Sequence, residues 1–339
     1  MLSLIAFFIH EAVLCGTPLL FGATGEILTE KSGNLNLGIP GIMYIGAISG
    51  VIGSFFYEYS PYFVPGIGVL IGFLCCLLGS LIASLIYCFL TITLRANQNV
   101  TGLALTTFGV GFGNFFGGAL IKILENKGTK LEVASISIPG TGDAFSFHAE
   151  FDDTPLSDFP FGDKIEWIWE LLFSYGFMVY LAIALAILAS WFLNRTRKGL
   201  YLRAVGENPA TADAAGINVN RYKYLATCVG GMIAGLGGLY FIMEQGNWGN
   251  GTFGDRGWLA IAIVIFAIWR PILAIPASYL FGGLYILFNY LNCPLVVQPI
   301  IQMLPYVVTI LVLILTSVRK KRENQPPASL GLSYFREER

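Results

Sequence analysis

The chain has 339 residues, of which 55% are hydrophobic and 12% are charged, and its formal net charge is -1. Soluble domains contain about 25% charged residues, so this composition, with a mean hydropathy of +0.68, argues against a large soluble protein. It favours a polytopic membrane protein. The net charge itself is uninformative because the charges are unevenly distributed, and we expect no nucleic-acid partner.

Long charge-free runs predict the membrane-spanning helices, because about 20 apolar residues cross a hydrocarbon core about 30 Å thick. The first run, 2–25, lacks the basic start of a signal peptide and is predicted to remain as a span. In chain order the nine apolar segments are 2–25, 38–57, 66–94, 96–121, 171–194, 224–243, 257–269, 271–291 and 298–318. As a helix, segment 257–269 reaches only about 20 Å, so the sequence leaves open whether it spans the membrane or is re-entrant.

The distribution of lysine and arginine predicts the orientation, since these residues concentrate in cytoplasmic loops. Loop 195–223 carries six of them, and four open the tail 319–339. Both are therefore predicted to be cytoplasmic, with the N-terminus outside. Segment 122–166, which has nine acidic residues and four lysines, becomes an extracytoplasmic loop. The expected architecture is an all-α membrane domain, 1–318, followed by the cytoplasmic tail.

Two short stretches resemble each other: GNLNLGIPG at 33–41 and GNGTFGDRG at 249–257. Five predicted segments separate them, and an odd number places the two copies on opposite faces of the membrane. Glycine-interrupted segments at corresponding places in two halves are typical of inverted-repeat transporters. The alternative is coincidence in a chain that contains 40 glycines.

The sequence contains no motif for catalysis or for a bound metal. The dipeptide Gly-Lys is absent, which excludes a Walker A loop, and no Ser/His/Asp or paired-carboxylate pattern stands out. The six cysteines and two histidines lack the spacing of a metal site or a disulfide framework. We therefore expect neither an enzyme nor a resident metal or cofactor. Gly113-x-x-x-Gly117 and Gly231-x-x-x-Gly235 are better explained by close helix packing.

Polar residues at membrane depth are costly and point to function. Uncharged amides and hydroxyls suit a neutral, hydroxyl-rich solute such as a sugar or a nucleoside, although each could instead bond a neighbouring helix. Glu26, Glu30 and Lys31 are interpreted as residues of the inner membrane boundary, and no chain of buried acids indicates a proton relay. The residues predicted to line a substrate pathway are Asn34, Asn36, Thr106, Asn114 and Asn250.

The stretch GENPATADAAGI, 206–217, predicts a short helix with both ends capped. Asn208 suits the N-cap, Pro209 the first helical position, and Gly216 a left-handed stop. Isolated helices of this length are unstable in water, and this one has no apolar stripe for lying on lipid. A small-residue helix of this kind can enter a groove on a partner protein; an ordinary solvated loop is the alternative.

Three stretches resemble one family of membrane proteins. GEILTEKSGNLNLGIPGIM (25–43), NQNVTGLAL (97–105) and GLYLRAVGENPATADAAGINVN (199–220) are similar to the membrane permease subunits of ATP-binding-cassette (ABC) importers. The branch is that of the ribose-type simple-sugar and nucleoside permeases, with the nucleoside permeases most similar. Pro40 departs from the glutamate usual there, and 267–271 only loosely matches a glycine-containing counterpart.

The resemblance implies how such a chain works. Two permease subunits, here a heterodimer in the plasma membrane, sit on a cytoplasmic ABC ATPase that binds the ATP, and an extracytoplasmic substrate-binding protein, often a lipoprotein, delivers the solute. The stretch that matches 206–217 is the helix that docks on the ATPase. The residues expected to couple to the ATPase are Glu207, Asn208, Pro209, Ala210, Ala212 and Asp213.

The expected function is thus uptake of a nucleoside, or of a simple sugar, by alternating access driven by a partner ATPase. Two other classes remain open on the sequence. A secondary transporter driven by an ion gradient is compatible with the inverted repeat. A membrane scaffold or receptor that moves no solute would use 122–166 as its binding element.

Overall fold

The structure, a computed structural model, describes residues 2–58, 65–126, 135–137, 175–245, 247–249, 255–291, 298–318 and 325–335. These residues form twelve α-helices: α1 Leu2–Glu30, α2 Ile39–Glu58, α3 Pro65–Cys88, α4 Gln98–Asn126, α5 Phe177–Arg195, α6 Arg197–Glu207, α7 Pro209–Ala214, α8 Val219–Gln245, α9 Arg256–Phe266, α10 Pro271–Tyr290, α11 Gln298–Gln302 and α12 Leu304–Val318. A π-helical turn, Phe89–Thr93, extends α3.

Seven helices of the described residues are long and apolar enough to cross a membrane, namely α1 to α5, α8 and α10. Each corresponds to one of the nine predicted segments. The other two segments form shorter apolar helices. Helix α9 has 11 residues and is about 17 Å long at 1.5 Å per residue, which is too short to span. The all-α class is confirmed. The prediction of nine spans is not confirmed, because seven helices in the described part of the chain are long enough to span.

Helices α1 and α8 form the centre of the bundle, where small residues let the backbones approach closely. A Cβ atom on Gly25 of α1 would overlap the carbonyl oxygen of Gly230 of α8. On another side of α8, Gly231 and Gly235 lie against the hydroxyl groups of Ser84 and Ser80 in α3. The predicted packing role of this glycine pair is confirmed. Helices α2, α3, α5, α9 and α10 pack against the central helices, and α4 packs mainly against α2.

The outward side of α3 carries a continuous apolar stripe. Leu70, Leu74, Leu78 and Ile82 are each at least half exposed and follow one another at helical spacing. Apolar side chains exposed in this pattern are suited to lipid tails, or to another apolar helix within the membrane.

A small antiparallel ribbon lies beside α4. β1, Ser135–Ser137, pairs with β2, Asn247–Gly249, with Ile136 opposite Trp248. The Trp248 ring is almost fully buried and lies against Gly117, where a Cβ atom would overlap the indole nitrogen. Gly113 lies against the Tyr44 ring, so this predicted glycine pair makes room for aromatic rings. Of the predicted loop 122–166, residues 122–126 continue α4 and residues 135–137 form β1. The other residues of this loop lie outside the described part of the chain.

A helix begins at a comparable place within each of the two similar stretches, 33–41 and 249–257. Helix α2 begins at Ile39 and α9 begins at Arg256, at matching places in the two copies to within one residue. Their last glycines both lie at tight contacts: Gly41 against the carbonyl oxygen of Leu105, and Gly257 against Pro40. Residues 250–254 are outside the described part of the chain, and the inverted repeat stays a prediction.

Candidate functional site

Several segments meet at one end of the bundle, where basic side chains gather. Residues 31–36, α6, α7 and the returning chain 325–335 contact one another there; we call this end the basic face and residues 325–335 the tail segment. Lys31 lies there close to Glu207, Arg203 and Arg270. Burial lowers the pKa of Lys31 below its usual value, and the Glu207 carboxylate opposes that shift. Loop 195–223 and the tail therefore lie on the same side.

Helix α7 is a short helix with the capping that the sequence predicts. The Asn208 side-chain oxygen accepts a hydrogen bond from the Thr211 backbone N–H at 3.0 Å, and Pro209 occupies the first turn. Gly216 has a φ of +82°, a conformation that favours glycine. The helix prediction for this stretch is confirmed.

The predicted coupling residues divide into an exposed and a buried group. Glu207, Asn208 and Ala210 are exposed, and Pro209 and Asp213 are partly exposed. Ala212, in contrast, is only 3% exposed and packs with Val205 and Val219 in a small apolar cluster. Ala212 thus anchors α7 to α6 and α8.

The exposed side of α7 includes three further residues that sequence analysis did not identify. Thr211, Ala214 and Ala215 are exposed beside Ala210 and present small side chains. Ala214 follows Ala210 by four positions and Ala215 follows Thr211 by four, so helical spacing from the predicted Ala210 could have identified this face.

The junction between α6 and α7 lies directly on the loop that follows α1. A Cβ atom on Gly206 would overlap the carbonyl oxygen of Lys31, and one on Gly33 would lie 3.3 Å from the Cα atom of Gly206. Gly33 itself has a φ of +82°. No side chain separates the two backbones, so the end of α6 is in direct contact with residues 31–33.

Residues 34–38 are held by polar groups from the surrounding helices. The Asn34 amide donates to the Thr227 hydroxyl at 3.0 Å, and the Asn36 backbone N–H donates to Glu26 Oε1 at 3.1 Å. The Leu35 backbone N–H donates to Gln98 Oε1 at 2.7 Å. These bonds hold the irregular backbone of this largely buried stretch in place, and buried backbone groups without partners are costly.

The structure places the five predicted pathway residues in different surroundings. Asn34 and Asn36 are fully buried, and Thr106 is 8% exposed and donates to the Leu37 carbonyl at 2.9 Å. In this conformation these three hold the loop 34–38. Asn114 of α4 is partly exposed, but its Oδ1 atom is buried and has no hydrogen-bond partner in the described part of the chain. Asn250 lies outside the described residues.

The outward side of α4 around Asn114 is lined by small and polar groups. Thr107 is exposed, and Gly111 and Gly118 have open space where a Cβ atom would lie. Exposed aromatic rings flank this side, among them Phe108 and Phe115. This surface differs from the purely apolar stripe of α3.

Glu26 and Glu30 were interpreted as simple interface residues, but the fold buries them. Both carboxyl groups are buried, 0% and 3% exposed, and lie close enough to interact electrostatically. Glu30 Oε2 accepts a hydrogen bond from the indole N–H of Trp269, which is itself buried. Spacing of four residues on α1 places the two carboxyls on one face of the helix, and that spacing could have revealed them.

Trp269 belongs to a strained connection between α9 and α10. Ile268 and Trp269 have φ values of +53° and +52°, and such values disfavour β-branched and bulky residues. The contact with Glu30 holds this conformation. The connection falls in the stretch 267–271, where the resemblance implies a glycine.

We expect Trp269→Phe to destabilise the protein, because the change removes the indole donor and leaves Glu30 buried without it. The loss of a buried partner costs about 1–3 kcal/mol. Thermal unfolding in detergent measures the effect. Trp191→Phe, at a side chain that is 58% exposed on α5, is the matched control and should unfold at the wild-type temperature. Equal unfolding temperatures of both variants would contradict the assigned contact.

The fold and the site define a multi-pass integral membrane protein that presents a capped helix of small residues on a basic face. A family model described as "Branched-chain amino acid transport system / permease component" matches residues 8–316. The chain belongs to this permease family, and the resemblance seen in the sequence motifs is confirmed. It is an ABC transporter permease of the nucleoside and sugar type, located in the plasma membrane.

Individual relatives cover nearly the whole chain. The nucleoside ABC transporter permease protein NupC of Lactococcus lactis is 33% identical over 91% of both chains. The guanosine ABC transporter permease protein NupQ of Bacillus subtilis is 29% identical over 92% of both. A protein of Haloferax volcanii named as a glucose ABC transporter permease is 30% identical over 99% of both. No solved structure matches.

Proposed function

We propose that the chain is the permease subunit of an ABC importer, and that α7 is the helix on which the partner ATPase acts. The observation that carries this proposal is the contact of the Gly206 backbone with Lys31. A movement imposed on the exposed side of α7 would pass through that contact into the loop 34–38 and the helices that hold it. ATP is bound by the partner subunit.

The proposed orientation places the basic face in the cytoplasm and the N-terminus outside. Arginine and lysine side chains from separate parts of the chain, including Lys31, Arg203 and Arg270, gather at this end, and cytoplasmic ends of membrane proteins are enriched in such residues. In this orientation α7 is accessible to a cytoplasmic ATPase, and segment 122–166 is accessible to an extracytoplasmic binding protein.

The proposed cargo is a nucleoside, with a simple sugar as the alternative. Two relatives are named for nucleoside transport and one for glucose. Uncharged polar groups on the outward side of α4, Thr107 and Asn114, suit a neutral solute that carries hydroxyl groups. We propose that this side of α4 faces the second permease subunit across the pathway, and that the α3 stripe faces lipid.

A gradient-driven transporter is the second candidate, and the buried pair Glu26 and Glu30 favours it. Two adjacent buried carboxyl groups repel each other when both are charged, so they can respond to the binding of a proton. Carboxyl groups inside membrane proteins are used in this way by proton-driven carriers.

Uptake by the reconstituted complex distinguishes these mechanisms. Proteoliposomes made with the co-purified partner subunits should accumulate a radiolabelled nucleoside when ATP reaches the ATPase, and a proton or sodium gradient alone should have no effect. Uptake that follows an ion gradient without ATP would establish the second candidate. Absence of solute flux under both conditions would favour the scaffold or receptor.

We expect Asn114→Leu to raise the KM for nucleoside uptake about three- to tenfold, which corresponds to the loss of one hydrogen bond to the solute. Asn194→Leu, at an exposed asparagine on α5, is the matched control and should transport normally. An unchanged KM in Asn114→Leu would contradict the proposal that this side of α4 lines the substrate pathway.

A further inference from the structure

The tail segment contacts the end of α6, where α7 follows, and the second half of α7. At the end of α6, the Ser329 backbone N–H donates to the Gly206 carbonyl at 3.0 Å, and the Ala328 N–H approaches Glu207 Oε2 at 3.4 Å. In the second half of α7, the Tyr334 hydroxyl donates to Asp213 Oδ2 at 2.8 Å. The tail segment therefore reaches from the end of α6 to the second half of α7.

The same segment also contacts the parts of the molecule that lie beneath α7. The Ser329 hydroxyl lies against Gly33, where an added Cβ atom would be 2.7 Å away. The Arg95 guanidinium, close to the start of α4, lies 4.6 Å from the centre of the Phe335 ring. Tyr334 also lines a small polar cavity together with Asn34. The tail segment thus contacts α7, the loop 31–36 and the connection that precedes α4.

Helix α7 needs such support because of its length. Six residues make less than two turns, and a helix that short is unstable unless other parts of the chain hold it. Within α7 only Ala212 is buried. Contacts from the tail segment restrain the remaining part of the helix.

We propose that the tail segment is a clamp that holds α7 rigidly against the loop 31–36, and that Tyr334 is a positioning residue for coupling. This inference rests on the proposed function of α7. With the clamp closed, a displacement of α7 carries the loop and α4 with it. With the clamp open, α7 moves without them, and ATP is hydrolysed without a matching amount of transport.

The test uses Tyr334→Phe in the full chain, because this change removes the hydroxyl bond to Asp213 and retains the ring. Tyr290→Phe, at the end of α10, is the matched control. Hydrogen exchange of the Ser329 amide, measured on the purified permease alone, reports whether the clamp opens. We expect exchange about fivefold faster in Tyr334→Phe, the factor corresponding to the loss of one hydrogen bond.

The second measurement is the amount of nucleoside transported for each ATP hydrolysed by the reconstituted complex. We expect this ratio to fall in Tyr334→Phe while ATP hydrolysis continues, and to keep its wild-type value in Tyr290→Phe. Unchanged exchange at Ser329 would overturn the clamp, and so would faster exchange with an unchanged ratio. A wild-type chain that assembles with no ATPase would overturn the proposed function, and the clamp proposal with it.

Discussion

Replacing Ala212 with leucine should reduce transport at least about tenfold while the membrane helices remain folded. The Ala212 side chain is enclosed by Val205 and Val219, and overpacking of such a site costs about 1–3 kcal/mol. Because α7 is short and lies at the end of the bundle, it can relieve this strain by moving outwards. The exposed surface of α7 then no longer matches its partner. Nucleoside uptake and thermal unfolding of the same preparation test both halves of this expectation.

A second substitution at the same cluster provides the control. Val205→Ala removes side-chain volume from the neighbour of Ala212 and makes room for the leucine. The double variant Val205→Ala, Ala212→Leu should recover most of the transport that the single variant lost. Normal uptake by Ala212→Leu would count against coupling through α7, and failure of the double variant to recover would count against steric displacement as the cause.

Gly25→Ala should destabilise the whole membrane domain. The new methyl group would overlap the Gly230 carbonyl oxygen, and since that atom belongs to the backbone of α8, no side-chain rotation relieves the contact. We expect a loss of about 1–3 kcal/mol, visible as a lower unfolding temperature and a smaller monodisperse fraction in detergent.

Gly66→Ala is the matched control for that substitution. Gly66 lies in the first turn of α3, with open space around its added Cβ atom. Alanine is the better helix former, by about 1 kcal/mol within a helix, so this variant should be as stable as the wild type or slightly more stable. Equal unfolding temperatures of the two alanine variants would contradict the close contact of α1 with α8.

The sequence predicted those features that depend on local patterns. The capped helix α7 follows from Asn208, Pro209 and Gly216, each of which acts within its own turn. Seven long spans follow from hydrophobic length. Hydropathy reports apolar character and carries no information on where a helix ends. It therefore left open whether 257–269 spans the membrane, and it predicted 298–318 as one span where the structure has two shorter helices.

Features that depend on tertiary contacts were not predictable in the same way. Glu26 and Glu30 were placed at the membrane boundary by their position in the chain, whereas the fold buries them and supplies the donor Trp269 from a distant segment. Asn34 and Asn36 were assigned to a pathway because they are polar at membrane depth. That assignment stays a prediction. The Asn34 side chain donates to Thr227 of α8, and the Asn36 side chain accepts from the Gly38 backbone N–H; periodicity in the sequence cannot show such pairings.

The tail segment illustrates the same limit. Its residues follow a basic stretch and have no hydrophobic period, so the sequence indicates only a cytoplasmic tail. The hydrogen bonds of Ser329 and Tyr334 to residues more than a hundred positions earlier in the chain appear only once the helices have brought the tail segment and the α6–α7 region to one face.

The most direct test of the central claim is to tag this chain, purify it gently from native membranes, and identify by mass spectrometry the proteins that accompany it. We predict that a cytoplasmic ABC ATPase and a second permease subunit co-purify, and that Ala212→Leu weakens recovery of the ATPase while the second permease is retained. Recovery of the wild-type chain as a lone, stable protein would contradict an ATP-driven importer.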